Sequence, residues 1–269
     1  MMSDLNFCLI QTELFWEDPE ANLSMFQKKI DALDAQGQII VLPEMFTTGF
    51  SMNPEALAQS MDGSAVEWMK ETSMKKKCVI TGSLMIKETI EDETHYYNRL
   101  IWMQPNGVFG FYDKRHLFSL AGENKYYTGG EKRIIFSVNG WKILPMICYD
   151  LRFPIWSRQQ LAESGKPEYD VVLYVANWPE KRIHAWRSLL TARAIENQCY
   201  VVAVNRTGTD GKGIMHNGQS MVIDPLGQIL FDGKDTESNT SVTLNHSALI
   251  SVRESFPFLQ DADDFQIMH

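Results

Sequence analysis

Apolar positions along the chain recur with two different periods, and the alternation between them lays out the elements. Leu5-Asn6-Phe7-Cys8-Leu9-Ile10 is an apolar run of strand length. Asp18-Pro19 then offers an N-cap with proline at the first helical position. Leu23, Phe26, Ile30 and Leu33 follow at spacings of three and four, one face of a helix that Gly37 ends. Gln38-Ile39-Ile40-Val41-Leu42 is short, continuous and rich in β-branched residues, which predicts a strand buried on both faces. Asp62 is positioned to cap a second helix with the face Ala65, Trp68, Met69 and Thr72. Its last turn carries Lys75, Lys76 and Lys77, favourable against the negative dipole end. Cys78 to Leu84 reads as the next strand.

In the middle of the chain the period changes. Asn98–Met103 and Val108–Tyr112 flank Asn106-Gly107, and Ile134–Val138 and Lys142–Ile147 flank Asn139-Gly140; Asn-Gly between apolar runs predicts a hairpin. A helical pattern returns over Pro154–Glu163, followed by a strand Val171–Val175, a longer helix Lys181–Gln198 and a strand Tyr200–Val204. Asp224-Pro225-Leu226-Gly227 turns between two late strands, and the acidic stretch Asp261–Asp264 reads as a solvated tail. Strands alternate with helices at both ends and form hairpins between, which predicts an α/β class of layered type, a mixed sheet system covered by helices.

Composition agrees with a packed chain: 44% hydrophobic and 22% charged over 269 residues, with no linker or repeat, so one domain is expected. A net charge of −9 argues against capture of nucleic acid through its phosphates. No apolar run reaches the roughly 18 residues of a membrane span. Met1-Met2-Ser3-Asp4 has neither the basic region nor the apolar stretch of a secretory signal, so the cytoplasm is the expected compartment. Cys8, Cys78, Cys148 and Cys199 are far apart, without metal or disulfide spacing, and are expected as free thiols; no histidine pair has zinc spacing.

Ligands in open α/β sheets collect beyond the carboxyl ends of strands. Glu44 ends the run Ile39–Pro43, Cys148 ends Lys142–Ile147, and Lys114 follows the strand Val108–Tyr112. Taken singly, these read as a strand cap, a small buried hydrophobe and a solvated lysine. Together they supply what thiol-based acyl transfer needs: a nucleophile, a base to take and return its proton, and a cation for the oxyanion. A nearby ammonium is also expected to favour the thiolate.

Around these three residues the sequence resembles the nitrilase superfamily of Glu-Lys-Cys carbon–nitrogen hydrolases. The resemblance runs from about residue 5 to 245 and rests on Leu42-Pro43-Glu44-Met45-Phe46, Lys114-Arg115-His116-Leu117-Phe118, Gly122-Glu123, Cys148-Tyr149-Asp150-Leu151-Arg152-Phe153-Pro154 and Ala176-Asn177-Trp178-Pro179. It implies a four-layer α-β-β-α sandwich as one domain over residues 1–269, with a short C-terminal extension from about residue 246. It also implies a hydrolase of small amides or nitriles with no metal or organic cofactor, and a homodimer. Nitrile-cleaving members show Cys-Trp-Glu at the nucleophile; Cys148-Tyr149-Asp150 is similar to the amidase branches, closest to the bacterial omega-amidases that release ammonia from 2-oxoglutaramate and 2-oxosuccinamate.

On that resemblance Glu44 is the base and Cys148 the nucleophile, while Lys114 and the backbone N–H of Tyr149 hold the oxyanion. Glu123 resembles the second glutamate of the family, orienting Lys114 or the substrate, or serving as a charge partner of Lys114. Phe46, Phe118, Tyr149 and Trp178 are candidates for the walls of the acyl pocket. Arg152, Arg206 and Lys125 are candidates for the substrate carboxylate, although Arg152 could instead pin the next helix through Asp150. An amidase for another small acid, an N-carbamoyl amino acid hydrolase and a non-catalytic scaffold of the same fold are the rival readings.

Overall fold

A computed structural model describes residues 2–33 and 39–267. β1 (Leu5–Gln11) leads into α1 (Pro19–Asp31), capped by Asp18, whose carboxylate accepts from the Ala21 N–H at 3.0 Å. Gly37, the predicted stop, lies outside the described residues, as does Gln38 at the start of the predicted strand. β2 (Ile39–Val41) is followed by a short α2 (Pro54–Leu57) and by α3 (Ser64–Lys76). Asp62 does not cap α3. The cap residue is Gly63, and the Gln59 side chain reaches in to accept from the Ala65 N–H at 2.8 Å, while Asp62 is bonded to Ser60.

β3 (Val79–Ile90), β4 (Glu93–Met103) and β5 (Phe109–Asp113) form a meander. Its second turn is the predicted Asn106-Gly107, while its first is Glu91-Asp92, both at positive φ and carrying no Asn-Gly signal. β6 (Phe136–Val138) and β7 (Trp141–Ile147) flank Asn139-Gly140 as predicted.

α4 covers only Pro154–Ser157 rather than Pro154–Glu163. Arg158 turns extended, the Gln159 N–H donates to Asn197 Oδ1 at 2.8 Å and the Gln159 side chain donates to the Tyr169 carbonyl at 2.8 Å. Those long-range partners outbid the local helix. β8 (Val171–Val175), α5 (Ile183–Asn197), β9 (Tyr200–Val204), the hairpin β10 (Thr207–Thr209) and β11 (Met215–Asn217), β12 (Met221–Ile223), β13 (Ile229–Asp232), β14 (Ser238–Leu244) and α6 (His246–Ser255) complete the chain.

The strands form two six-stranded sheets, ordered β14-β1-β2-β3-β4-β5 and β13-β12-β9-β8-β7-β6. Alternation along β1 shows how they are layered. Leu5, Phe7 and Leu9 join Leu144, Val172 and Val202 of the second sheet in one core, whereas Cys8 and Ile10 face Phe26 and Ile30 of α1 and Met69 of α3 in another. Trp186, Leu190 and Ala194 of α5 pack on the second sheet. The result is the expected α-β-β-α sandwich. Among the described residues no helix is long and apolar enough to cross a membrane.

Candidate active site

Four segments reach the same end of the sandwich: the loops after β2 and β5 in one sheet, and after β7 and β8 in the other. The loop after β2 is pinned to β3, the Met45 N–H donating to Ser83 Oγ (2.8 Å) and the Phe46 N–H to the Ser83 carbonyl (3.1 Å). Gly82 permits this contact, since a Cβ there would meet Leu42 Cβ at 2.8 Å. The turn places Glu44 inside the protein, fully buried.

Lys114, directly after β5, is also fully buried. Its Nζ lies 2.9 Å from Glu44 Oε1 and 3.0 Å from both oxygens of the buried Glu123. Asn98 Nδ2 donates to Glu44 Oε1 at 2.8 Å. Asn177, after β8, donates its backbone N–H to Glu44 Oε2 at 2.8 Å and its side chain to the Glu44 carbonyl at 2.6 Å. The carboxylate is thus held at both oxygens. Burial alone would lower the Lys114 pKa, but the Glu123 and Glu44 carboxylates overcome it and keep the ammonium charged. Burial raises Glu123, against the opposing pull of Lys114.

Cys148 begins a 3₁₀ turn, Cys148–Arg152, at φ +44°, a conformation rare for a residue with a side chain. Asp150 holds the turn. One carboxylate oxygen accepts from the Ile147 N–H (3.0 Å) and the Tyr112 hydroxyl (2.7 Å), the other from His116 through its backbone N–H (3.0 Å) and Nδ1 (2.8 Å). His116, stacked on Phe153, is therefore part of the support of this turn. Burial and, after it, the charge of Glu44 push the Cys148 thiol well above its ordinary value, with Lys114 pulling the other way. The pull toward the thiolate expected of the Lys114 ammonium is present, and it is the smaller effect. The buried carboxylate next to the sulfur outweighs the ammonium, which two glutamates already neutralise, so the thiol keeps its proton until a base removes it.

Cys148 opens onto a narrow cavity of about 70 Å³, whose lining includes Phe118, Tyr149, Arg152, Trp178 and Arg182. Phe50 also lines it, its ring 4.9 Å from Lys114 Nζ; the sequence reading missed it because an aromatic residue in a loop carries no periodic signal. Phe46 is corrected. Its side chain is in the core between sheet and helices, edge-on to Phe26, because the turn at Met45 sends the residue away from the cavity. Arg206 is fully buried elsewhere, donating to the Thr207 and Leu14 carbonyls, and burial draws its pKa down to about 10. Lys125 is exposed outside the cavity lining. Arg152 stacks over Trp178 at 5.0 Å and is not bonded to Asp150. Among the described residues no cluster of His, Cys, Asp or Glu is arranged to hold a metal ion.

A buried Glu-Lys-Glu set against a cysteine at the mouth of a small cavity, between two sheets of an α-β-β-α sandwich, defines a cysteine hydrolase site. The family model for carbon-nitrogen hydrolases matches residues 8–253, and the chain belongs to that family. It is 42% identical over 268 residues to omega-amidase YafV of Escherichia coli strain K12, covering 99% of this chain and 100% of that protein. It is 32% identical to 2-oxoglutaramate amidase of Bacillus subtilis strain 168, covering 94% and 95% of the two chains. A CN-hydrolase superfamily protein from Xanthomonas campestris, solved with an arsenic adduct in its active site, superposes with a TM-score of 0.95 at 39% identity, covering 99% of this chain and all of that one.

Proposed function

We propose that the protein is an omega-amidase that releases ammonia from the terminal amide of 2-oxo dicarboxylic acid monoamides such as 2-oxoglutaramate and 2-oxosuccinamate. The observation that carries this is the buried Lys114 bridging Glu44 and Glu123 beside Cys148, in a chain similar over its whole length to proteins named for that activity. Glu44 takes the proton from Cys148 as sulfur attacks the amide carbonyl, and Lys114 with the Tyr149 N–H stabilises the resulting oxyanion. Glu44 returns the proton to the nitrogen, the C–N bond breaks and ammonia leaves a thioester on Cys148. Water then attacks that thioester with Glu44 again as base, freeing the acid and restoring the thiol. Glu123 keeps Lys114 aimed and charged throughout.

The test is ammonia release from 2-oxoglutaramate, 2-oxosuccinamate, glutamine, an N-carbamoyl amino acid and a small nitrile, with Cys148→Ala as control. Preference for the two oxo amides, abolished in the variant, is expected; turnover of the carbamoyl compound or nitrile in their place would replace the substrate reading. Two copies are further proposed to pair, which sedimentation equilibrium would report as about twice the chain mass of 30.9 kDa.

A further inference from the structure

Side chains on a strand alternate between the two faces of its sheet, so each strand residue of the site has a neighbour pointing the other way. Asn98 and Lys114 are fully buried on the inner face, where both donate to Glu44 Oε1, and Asn98 Nδ2 also lies 3.4 Å from Glu123 Oε1. The Lys114 N–H donates to the Asn98 carbonyl at 3.0 Å, just where β5 ends. The adjoining residues, Arg99 and Asp113, stand directly opposite each other in the β4–β5 ladder, on the face that carries Ile101 and Met103 into the helix-side core. Arg99 grips Asp113 with two bonds, Nε to Oδ1 at 2.6 Å and Nη2 to Oδ2 at 2.9 Å. The guanidinium lies 3.9 Å from the ring centroid of Phe111 and 5.0 Å from that of Tyr97, and the side chain is only 3% exposed. Nη2 also reaches the half-exposed Glu88 of β3, at 2.9 Å.

We infer that Arg99 and Asp113 are positioning residues for the reaction, their ion pair fixing from the outer face the register that puts Asn98 and Lys114 on Glu44. This rests on the roles given above to Glu44, Lys114 and Cys148. β5 is the edge strand of its sheet, paired with β4, and it ends at the residue before Lys114. A slip of one residue there would turn Lys114 to the outer face. Phe109 and Phe111, on the outer face of β5, are each 41% exposed, so burial of that face contributes little to the register. A forked guanidinium on a carboxylate instead defines both the rung and the angle at which the strands meet. On the free side of β5 the Lys114 carbonyl accepts from the Gly130 N–H at 2.9 Å, and a Cβ on Gly130 would meet the Asp113 carbonyl oxygen at 2.2 Å. The backbone at Asp113 and Lys114 is thus wedged between β4 and Gly130, and a shift at Asp113 is passed on to Lys114 rather than absorbed. Burial lifts the Asp113 carboxyl above its ordinary value against the pull of Arg99, so Asp113 relies on that partner to stay charged.

The test compares full-length Arg99→Lys, Asp113→Asn and the double variant with Arg253→Met, which removes the cation of Asp170 where β8 begins. Arg99→Lys keeps the charge and loses the fork. Misplacing a reacting group by about 1 Å costs about a hundredfold in rate, so kcat for 2-oxoglutaramate is expected to fall about tenfold to a hundredfold in either single variant. KM is expected to stay within about twofold, because Lys114 acts on an oxyanion absent from the ground state. The double variant is expected to be no slower than the worse single one, since each breaks the same contact. Arg253→Met is expected to lose Tm and keep kcat, which separates positioning from stability. A second readout needs no amide turnover. Iodoacetamide alkylates Cys148, followed by peptide mass: an S–C bond forms, iodide leaves and Glu44 receives the thiol proton. That rate is expected to fall about fivefold or more in Arg99→Lys and Asp113→Asn and to hold in Arg253→Met. A folded Arg99→Lys that alkylates at the wild-type rate, whatever its Tm, would make the ion pair a structural contact and overturn the inference; this milder variant decides the matter if Asp113→Asn does not fold. A wild type inactive on the oxo amides loses the omega-amidase reading, and the alkylation comparison still decides the positioning role.

Discussion

At Lys114 the site's electrostatics turn on one buried cation between two buried carboxylates. On the proposed mechanism Lys114→Ala removes an oxyanion donor, and it leaves Glu44 and Glu123 without the charge that separates them, so kcat is expected to fall by about two to three decades, measured as ammonia release by folded protein. Cys148 sets the pH response. Because burial and Glu44 raise the thiol, its ionisation lies above the neutral range, and kcat/KM is not expected to climb between about pH 7 and 9 as it would for a thiol of ordinary pKa near 8.5. A tenfold rise over that interval would show a thiolate nucleophile formed before substrate binds, contrary to base-assisted attack through Glu44. That Glu44, Lys114 and Cys148 could meet was legible in the sequence because each follows an apolar strand, and the structure brings the three together. The role of Asp150 was not, since its four donors come from positions up to 38 residues away that only the fold assembles.

Elements show the same division between local signal and tertiary context. The Asn-Gly hairpins were legible because the turn itself demands positive φ. The ten-residue helix predicted from Pro154 stops after one turn because Gln159 and Asn197 satisfy each other across 38 positions, a competition no local window contains. The β10–β11 hairpin gave no advance signal, yet it lines the cavity with Asp210 and His216. His216 is almost fully buried, and burial, helped by the charge of Arg206, lowers its pKa to about 4. Between about 6.5 and 4 the unfolded chain takes up a proton that the folded one refuses, so this contribution to stability is complete above pH 6.5 and lost as pH falls toward 4. From pH 6.5 to 5 the loss amounts to about 2 kcal/mol, and the acid-side drop in Tm is expected to be smaller in His216→Gln by a corresponding amount.

Across the whole molecule the two sheets are tied together by the last part of the chain, of which the sequence reading left the residues from about 246 as a short extension. β14 pairs with β1 in the first sheet over seven residues, and α6, immediately after it, buries Leu249 in the core shared with the second. Arg253 of α6 then donates to Asp170 Oδ1 (2.8 Å), the Tyr169 carbonyl (2.8 Å) and the Gln198 carbonyl (2.9 Å), the segments that lead into β8 and β9. One side chain thus closes the sandwich at the end opposite the loops that carry Glu44, Lys114 and Cys148, where β8 and β9 begin rather than where β8 delivers Asn177. Arg253→Met leaves Asp170 as a largely buried carboxylate without its cation, at a cost of about 3 kcal/mol or more. For a chain of this size that is a fall in Tm of roughly 6 to 12 °C. Because the sheets share one core, calorimetry is expected to show a single transition moved down as a unit, with kcat/KM at 25 °C unchanged. Two separated transitions in the variant would mean that the sheets are stable apart, and that the C-terminal segment joins two units rather than completing one.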